Sequence, residues 1–355
     1  MRAEELDARA SDSRRELHLG GPGERAGALR DLLAQRIRAV PSGGRIAWIT
    51  YYFRDRGLAQ DLIAAHARGV DVRVLLERRT RTRGANHAVI ALLRAALGER
   101  LQLVDRSLAL RIHAKLYLFS GEQPCALVGS FNPSGDAEEL EPEVIAEIGD
   151  QDRAFNALVS LSDASLVAWL FGEAARLRPS HFARLGRLPR LRVGSWSGGG
   201  DSFWFLPRAG VSPLLERIAE LGAGARVRLA VSHLSGRIAL GSLSALAARG
   251  VRVEALAEST ERRVPRALEA KLRAAGVRFT RVEPSERVPM HAKFTLIEER
   301  GEREVFFGSA NWSDRSFRRN FEVLARSRDA ALFDGFASYW ERIQRFALES
   351  AARVS

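Results

Sequence analysis

"HAKLYLF" at residues 113–119 and "HAKFTLI" at 291–297 decide how this chain is read. Each sets a lysine two residues after a histidine at the head of a largely apolar run. The chain has only three lysines, Lys115, Lys271 and Lys293, among 55 Lys+Arg, so two of the three fall in this one pattern. A solvated surface cation could be either residue type, and this chain almost always uses arginine. Both positions therefore call for a compact ammonium in place of a planar guanidinium fork.

The flanks repeat as well. "AHARGVDVRVLLE" (65–77) matches "ALAARGVRVEALAE" (245–258), and "GSFN" (129–132) matches "GSAN" (308–311). "EPEVIAEI" (141–148) matches "NFEVLARS" (320–327), and the offset between copies stays at 178 or 179 residues. Upstream, "LRDLLAQRIRAVPSGGRIAWITYYF" parallels "LLERIAELGAGARVRLAVSHL". A duplication of roughly 150 residues is far longer than any solenoid repeat.

Periodicity predicts the same succession of elements in both copies. Helices at 26–39 and 212–222 lead to strands at 46–53 and 226–232. Helices at 57–68 and 239–249 lead to strands at 71–77 and 251–257. Helices at 86–97 and 262–275 precede short strands at 101–104 and 277–280. The motif strands, 113–119 and 291–298, turn into strands at 124–129 and 303–308. Last strands at 143–149 and 321–327 precede long amphipathic helices at 152–171 and 329–349. The predicted fold class is α/β, with two tandem lobes related by a pseudo-two-fold axis, each a mixed, mostly parallel sheet flanked by helices. Lobe boundaries are expected at 1–177 and 212–355, with 178–211, which carries Pro and Gly clusters, joining them.

Hydrophobic residues at 46% and charged residues at 28% describe an ordinary globular chain. No run of 18 apolar residues is present, so no membrane-spanning helix is expected. The amino terminus, "MRAEELDARASDSRRELHLG", is charged throughout and lacks the apolar core of a signal peptide. One cysteine, Cys125, excludes an intrachain disulfide and is consistent with a reducing compartment. A cytoplasmic protein is expected, with peripheral contact at a membrane surface as a further expectation. The formal charge of +12 favours anionic partners: phospholipid surfaces, nucleic acids or other phosphates.

Positions i and i+2 of a strand face the same way, so His113 and Lys115 point together, as do His291 and Lys293. A lysine ammonium and an asparagine amide are donors suited to non-bridging phosphate oxygens. A glutamate accepting from a histidine Nδ1–H fixes the tautomer and leaves Nε2 free to act. One neutral imidazole and one imidazolium can supply the nucleophile and the acid that a phosphodiester displacement needs, with no metal required. The two copies are therefore expected to face each other, with His113 and His291 on opposite sides of one phosphorus. No histidine or carboxylate pair shows metal-ligand spacing and Cys125 stands alone, so neither metal nor cofactor is expected.

The combination of H-x-K, a following "GSxN" and a downstream Glu, twice per chain, resembles the phospholipase D superfamily, the "HKD" enzymes. The likeness runs from about residue 26 to 349. It implies two phospholipase D-like lobes and a covalent phosphohistidine intermediate. By that resemblance His113 is the nucleophile and His291 the general acid. Lys115, Lys293, Asn132 and Asn311, with Ser130 and Ser309, hold the phosphate, while Glu143 and Glu322 orient the histidines. The family's Asp position is Ser120 in the first copy and Glu298 in the second, so neither copy is a full "HKD".

The leading expectation is a phosphodiesterase or phosphatidyltransferase acting on phospholipid, similar to cardiolipin synthase or bacterial phospholipase D. One alternative is a metal-independent nuclease that uses the same histidines, with the arginines of "ERRTRTRGANH" (77–87) gripping backbone phosphates. Another is a degenerate copy that binds anionic lipid or nucleic acid without turnover. His233, which aligns with Tyr52, is read as a packing residue with pocket lining as the alternative. "WSGGGDSFWF" (196–205) is read as core aromatics, with membrane-surface anchoring as the alternative. Because the duplication completes the site within one chain, a monomer is expected.

Overall fold

The computed structural model describes residues 14–105, 110–133, 153–182, 184–185, 188–189, 193–283 and 289–354. In the amino-terminal half the strands are β1 (Arg15–Leu19), β2 (Arg45–Thr50), β3 (Asp71–Glu77), β4 (Leu101–Val104), β5 (Arg111–Ile112), β6 (Leu116–Phe119), β7 (Cys125–Gly129) and β8 (Ala157–Leu161). A small hairpin, β9 (Arg184–Leu185) with β10 (Leu188–Pro189), and β11 (Ser195–Gly198) follow. The carboxy-terminal half has β12 (Asp201–Leu206), β13 (Arg226–Val231), β14 (Leu234–Ser235), β15 (Arg252–Glu258), β16 (Arg278–Val282), β17 (Lys293–Glu299), β18 (Glu302–Gly308), β19 (Trp312–Ser313) and β20 (Asn320–Ser327).

The duplication is visible in the strand order. The first sheet runs β1-β8-β7-β6-β2-β3-β4, and the second runs β11-β12-β20-β18-β17-β13-β15-β16, with β5 added to β20. The six strands β8-β7-β6-β2-β3-β4 thus correspond one for one to β20-β18-β17-β13-β15-β16. Both sheets are mixed, as expected, but among the six matched strands of each sheet parallel pairing is confined to β2·β3·β4 and β13·β15·β16. The pairs from β2 to β6 to β7 to β8, and from β13 to β17 to β18 to β20, are antiparallel. The physical reason is connection length: helices bridge the parallel strands, whereas five residues turn β6 into β7 and two residues join β17 to β18.

Each sheet carries helices on its outer face. Ala28–Ala39, Arg56–Ala67 and His87–Leu97 cover the first, with Leu33, Leu62 and Leu93 packed against Val72, Val74 and Trp48 in one cluster. Pro213–Glu220, Gly236–Ala248 and Arg266–Ala274 cover the second in the same manner. The inner faces share a single core to which both halves contribute: Ile49, Leu116 and Val128 from the first, Phe294, Phe307 and Phe321 from the second. Helices Ala164–Arg176 and Ala330–Val354 close that shared core, through residues such as Leu170, Phe336 and Tyr339. The lobes are therefore held together by buried apolar surface.

Two boundaries differ from the sequence reading. Residues 195–206, placed in the connection, form β11 and β12 on the edge of the second sheet, where β12 pairs with β20. Their aromatics divide: Phe203 and Phe205 lie in the shared core, while Trp204 stacks beside Phe306. The expected strand at 143–149 lies outside the described residues, and the strand that completes the first sheet is β8. The helix expected from 152 begins at Ala164, because Asp163 caps it by accepting the Leu166 N–H at 2.9 Å.

Candidate active site

The motif strands are bonded to the opposite half before they reach their histidines. β5 pairs in parallel with the start of β20, and the His113 N–H donates to Phe321 O at 2.8 Å. In the second copy Met290 bridges Phe155, and the His291 N–H donates to Phe155 O at 3.0 Å. The residue before each histidine is fixed by a carboxylate at the end of a central strand. Glu77 accepts the Ile112 N–H at 3.1 Å, and Glu258 accepts the Met290 N–H at 2.9 Å.

The ring partners cross between lobes too. His113 Nδ1 donates to Glu322 Oε2 at 2.8 Å, and His291 Nδ1 donates to Asn156 Oδ1 at 3.0 Å. Glu322 and Asn156 are equivalent, since each is the residue before a strand position that clasps a "GS" serine. Ser309 Oγ donates to Glu322 Oε2 at 2.6 Å and accepts the Val323 N–H at 3.0 Å. Ser130 Oγ donates to Asn156 Oδ1 at 2.9 Å and accepts the Ala157 N–H at 3.0 Å. The preceding glycines make the approach possible: a Cβ on Gly129 would lie 2.0 Å from Ala157 O, and one on Gly308 2.3 Å from Val323 O.

Ser130 and Ser309, expected at the phosphate, are thus engaged behind the histidine partners. Glu143 lies outside the described residues, and the side chain bonded to His291 is Asn156. Glu322 reaches the histidine of the other copy, with Ser316 and Asn320 donating to its Oε1 at 2.9 and 3.1 Å.

Lys115 and Lys293 are buried, and each Nζ donates to the carbonyl of the histidine two residues earlier at 2.6 Å. The Asn132 and Asn311 Oδ1 atoms accept backbone N–H groups from Tyr52 at 3.4 Å and His233 at 3.0 Å, which turns each amide nitrogen away as a donor. A cavity of about 540 Å³ opens on His113 and Asn311. Its wall includes Arg81, Arg111, Arg262, Arg315, Arg318 and Arg319, and His233 lines it as well. Of the sequence-marked cluster at 77–87, Arg81 reaches this wall, whereas Arg78 and Arg79 lie within 3.7 and 3.4 Å of Asp105.

Burial lowers the His113 pKa to about 4, with Lys115 and Lys293 adding to the effect and Glu322 opposing it. Burial, Lys293 and Lys115 hold His291 well below its ordinary value, and His113 is near enough to contribute. His291 has an amide where His113 has a carboxylate, so its ring partner brings no negative charge to oppose the shift. Burial works to raise Glu322, but His113, Lys115 and the Ser309 hydroxyl keep its carboxyl below the usual range. Two neutral rings with Nδ1–H engaged both present an unprotonated Nε2. Among the described residues, no group of three or more His, Cys, Asp or Glu side chains is arranged to hold a metal ion.

Ser120 and Glu298, at the family's Asp positions, lie at the far ends of their strands. Ser120 Oγ accepts the Arg45 N–H at 2.6 Å, and Glu298 accepts from Arg228 at 2.8 Å. Five residues of strand separate Lys115 from Ser120, roughly 16 Å. The sequence reading missed Asn156, Glu77 and Glu258. The last two closed the matched segments "VLLE" and "ALAE", where the repeated carboxylate was the available signal.

A fold with two matching sheets and a histidine–lysine–asparagine set from each defines a duplicated phospholipase D-like protein, and the chain belongs to that family. The family model "Cardiolipin synthase, PLD-like domain" matches residues 39–160 and again 215–344. Among solved structures, phosphatidylserine synthase from Haemophilus influenzae is similar with a TM-score of 0.64 and 12% identity, over 93% of this chain and 86% of that one. Polyphosphate kinase from Porphyromonas gingivalis is similar with a TM-score of 0.62 and 17% identity, over 93% of this chain. The chain spans 47% of that kinase's length. At these identities the likeness is one of fold. No protein of curated function matches the sequence.

Proposed function

We propose that this chain is a metal-independent phosphodiesterase or phosphatidyltransferase that acts on phospholipid through a covalent phosphohistidine on His113. The observation that carries this reading is the unequal pairing of the two rings, carboxylate behind His113 and amide behind His291. When His113 Nε2 attacks phosphorus its ring becomes cationic, and the Glu322 carboxylate stabilises that charge. Asn156 offers no such charge, so a protonated His291 releases its proton readily.

The incoming phosphodiester anion raises the proton affinity of His291, which enters the reaction as imidazolium. His113 Nε2 bonds to phosphorus as the bond from phosphorus to the leaving oxygen breaks, and His291 gives that oxygen its proton. Water or an acceptor alcohol then attacks phosphorus and passes its proton to the neutral His291. The P–N bond breaks and His113 is restored. Lys115, Lys293 and the two asparagine amides would hold the non-bridging oxygens throughout. Because both halves of the site come from one chain, the reading needs no more than a monomer, in peripheral contact with a lipid surface.

The arginine wall favours a second reading, a nuclease whose strand phosphates follow those guanidinium groups. One experiment addresses both. Wild type, His113→Ala and His291→Ala are incubated in EDTA with phosphatidylglycerol and, separately, with single-stranded DNA. Release of glycerol or formation of cardiolipin by wild type alone supports the lipid reading, and shortened DNA supports the nuclease. The lipid phosphate should also be trapped on His113 of the wild type, by denaturing quench during turnover, as an acid-labile, base-stable adduct that His113→Ala does not form. Full turnover by His113→Ala rejects the mechanism for either substrate.

A further inference from the structure

We propose that a groove on the outer face of the second lobe binds an acyl chain of the substrate, an inference that rests on the phospholipid reading above. The groove has a volume of about 460 Å³ and lies between helices Pro213–Glu220, Gly236–Ala248 and Asp314–Arg318. One wall is a single face of the middle helix: Arg237, Ile238, Gly241, Ser242, Ala245 and, just past its end, Arg249. Opposite stand Leu215, Ile218 and Phe317. The lining is apolar or small along its length, with guanidinium groups at the rim.

Three observations select an acyl chain as the occupant. The first is continuity: Arg318 lines both the groove and the cavity that opens on His113, and Ser235 and Gly236, at the head of the middle helix, line that cavity. A molecule with its phosphate at the histidines and an apolar tail would run from one space into the other. The second is length. From Arg237 to Arg249 the helix advances roughly 18 Å, close to the reach of one acyl chain, about half of a ~30 Å bilayer core.

The third is Ser212, which lines the groove, is 5% exposed, and has a buried hydroxyl with no hydrogen-bond partner among the described residues. It occupies the N-cap position of helix Pro213–Glu220 without making the cap bond. An unpaired buried hydroxyl is a cost unless something supplies a partner. The ester carbonyl of a lipid would do so, and a bare hydrocarbon would not. Arg237 and Arg318 are exposed and carry no side-chain partner among the described residues, which suits the anionic end of an amphiphile. A polynucleotide would bring phosphates against Leu215 and Ile218 and is disfavoured there.

Gly241 makes the test clean. An added Cβ there meets nothing within 4 Å and the backbone is not left-handed, so Gly241→Leu starts into open groove space and suits a helix better than glycine. The reading is the ratio of kcat/KM for dipalmitoyl- over dihexanoyl-phosphatidylglycerol. In Gly241→Leu, and independently in Ala245→Leu, this ratio should fall by about tenfold relative to wild type. An unchanged ratio in both variants overturns the proposal. Should wild type turn over neither lipid, the proposed activity fails, and the groove is then judged by binding of cis-parinaric acid, followed by its fluorescence. Weaker binding by Gly241→Leu than by wild type supports the groove, and equal binding overturns it.

Discussion

Glu322 Oε2 lies 2.8 Å from Nδ1 of His113, although the two residues are 209 positions apart in sequence. Asn156 stands in the equivalent place for His291, so the duplicated site is symmetric in backbone and asymmetric in charge. Replacing Glu322 with Gln keeps a hydrogen-bond acceptor but removes the charge behind the nucleophile, and kcat should fall by about 10²-fold. Asn156→Asp should do the reverse for the other ring, raising the His291 pKa and slowing release of its proton. The pH–rate profile checks both, because the Asn156→Asp protein should hold its protonated form to higher pH than wild type.

Acid should destabilise the fold through the same histidine. The pKa of His113 is about 4 in the folded state, against 6.5 for the ordinary side chain. Between those values the unfolded chain binds the proton and the folded chain does not. The contribution is therefore complete above pH 6.5 and lost as pH falls towards 4, by roughly 3 kcal/mol. His291 and His233 are shifted in the same direction and add to it. Urea unfolding at pH 7.5, 5.5 and 4 measures the slope, which should be shallower in His113→Gln.

The lysines explain themselves in the folded site. Each Nζ is buried and sits 2.6 Å from the carbonyl of its motif histidine, a space sized for an ammonium. Lys115→Arg and Lys293→Arg conserve charge but bring a wider, planar group into a packed centre. Each should lower kcat/KM by about 10²-fold, with circular dichroism reporting whether the fold is retained.

Restoring the family Asp should restore nothing. Ser120 is occupied with the Arg45 N–H at the end of its strand away from His113. Ser120→Asp should leave kcat within about twofold of wild type, the scale expected of a site remote from the chemistry. A gain of tenfold would mean that this position reaches the reacting atoms by some route other than contact.

The sequence made the duplication, the element order and the histidine, lysine and asparagine set legible, because each recurs at a nearly constant offset. It misplaced the last strand of the first copy for an equally physical reason. "EPEV" resembles "NFEV" in side chains, so Glu143 was set against Glu322. The backbone instead aligns Phe155 and Asn156 with Phe321 and Glu322, since each phenylalanine carbonyl accepts from a motif histidine. An asparagine opposite a glutamate carries no compositional likeness. The phenylalanine before it and the apolar strand after it were the only clues. The crossing of partners between halves was hidden altogether, because it depends on pairing across nearly the whole chain.

Fusion of the two copies into one polypeptide has a consequence for how such a centre can change. Two identical subunits meeting on an exact axis would have to give both rings the same companion, so any improvement for one step would be imposed on the other. Here a substitution at Glu322 or at Asn156 changes the companion of one ring alone, the ring belonging to the opposite half. Divergence between the copies can therefore specialise the attacking and releasing steps separately, while neither copy could be discarded without disarming its twin.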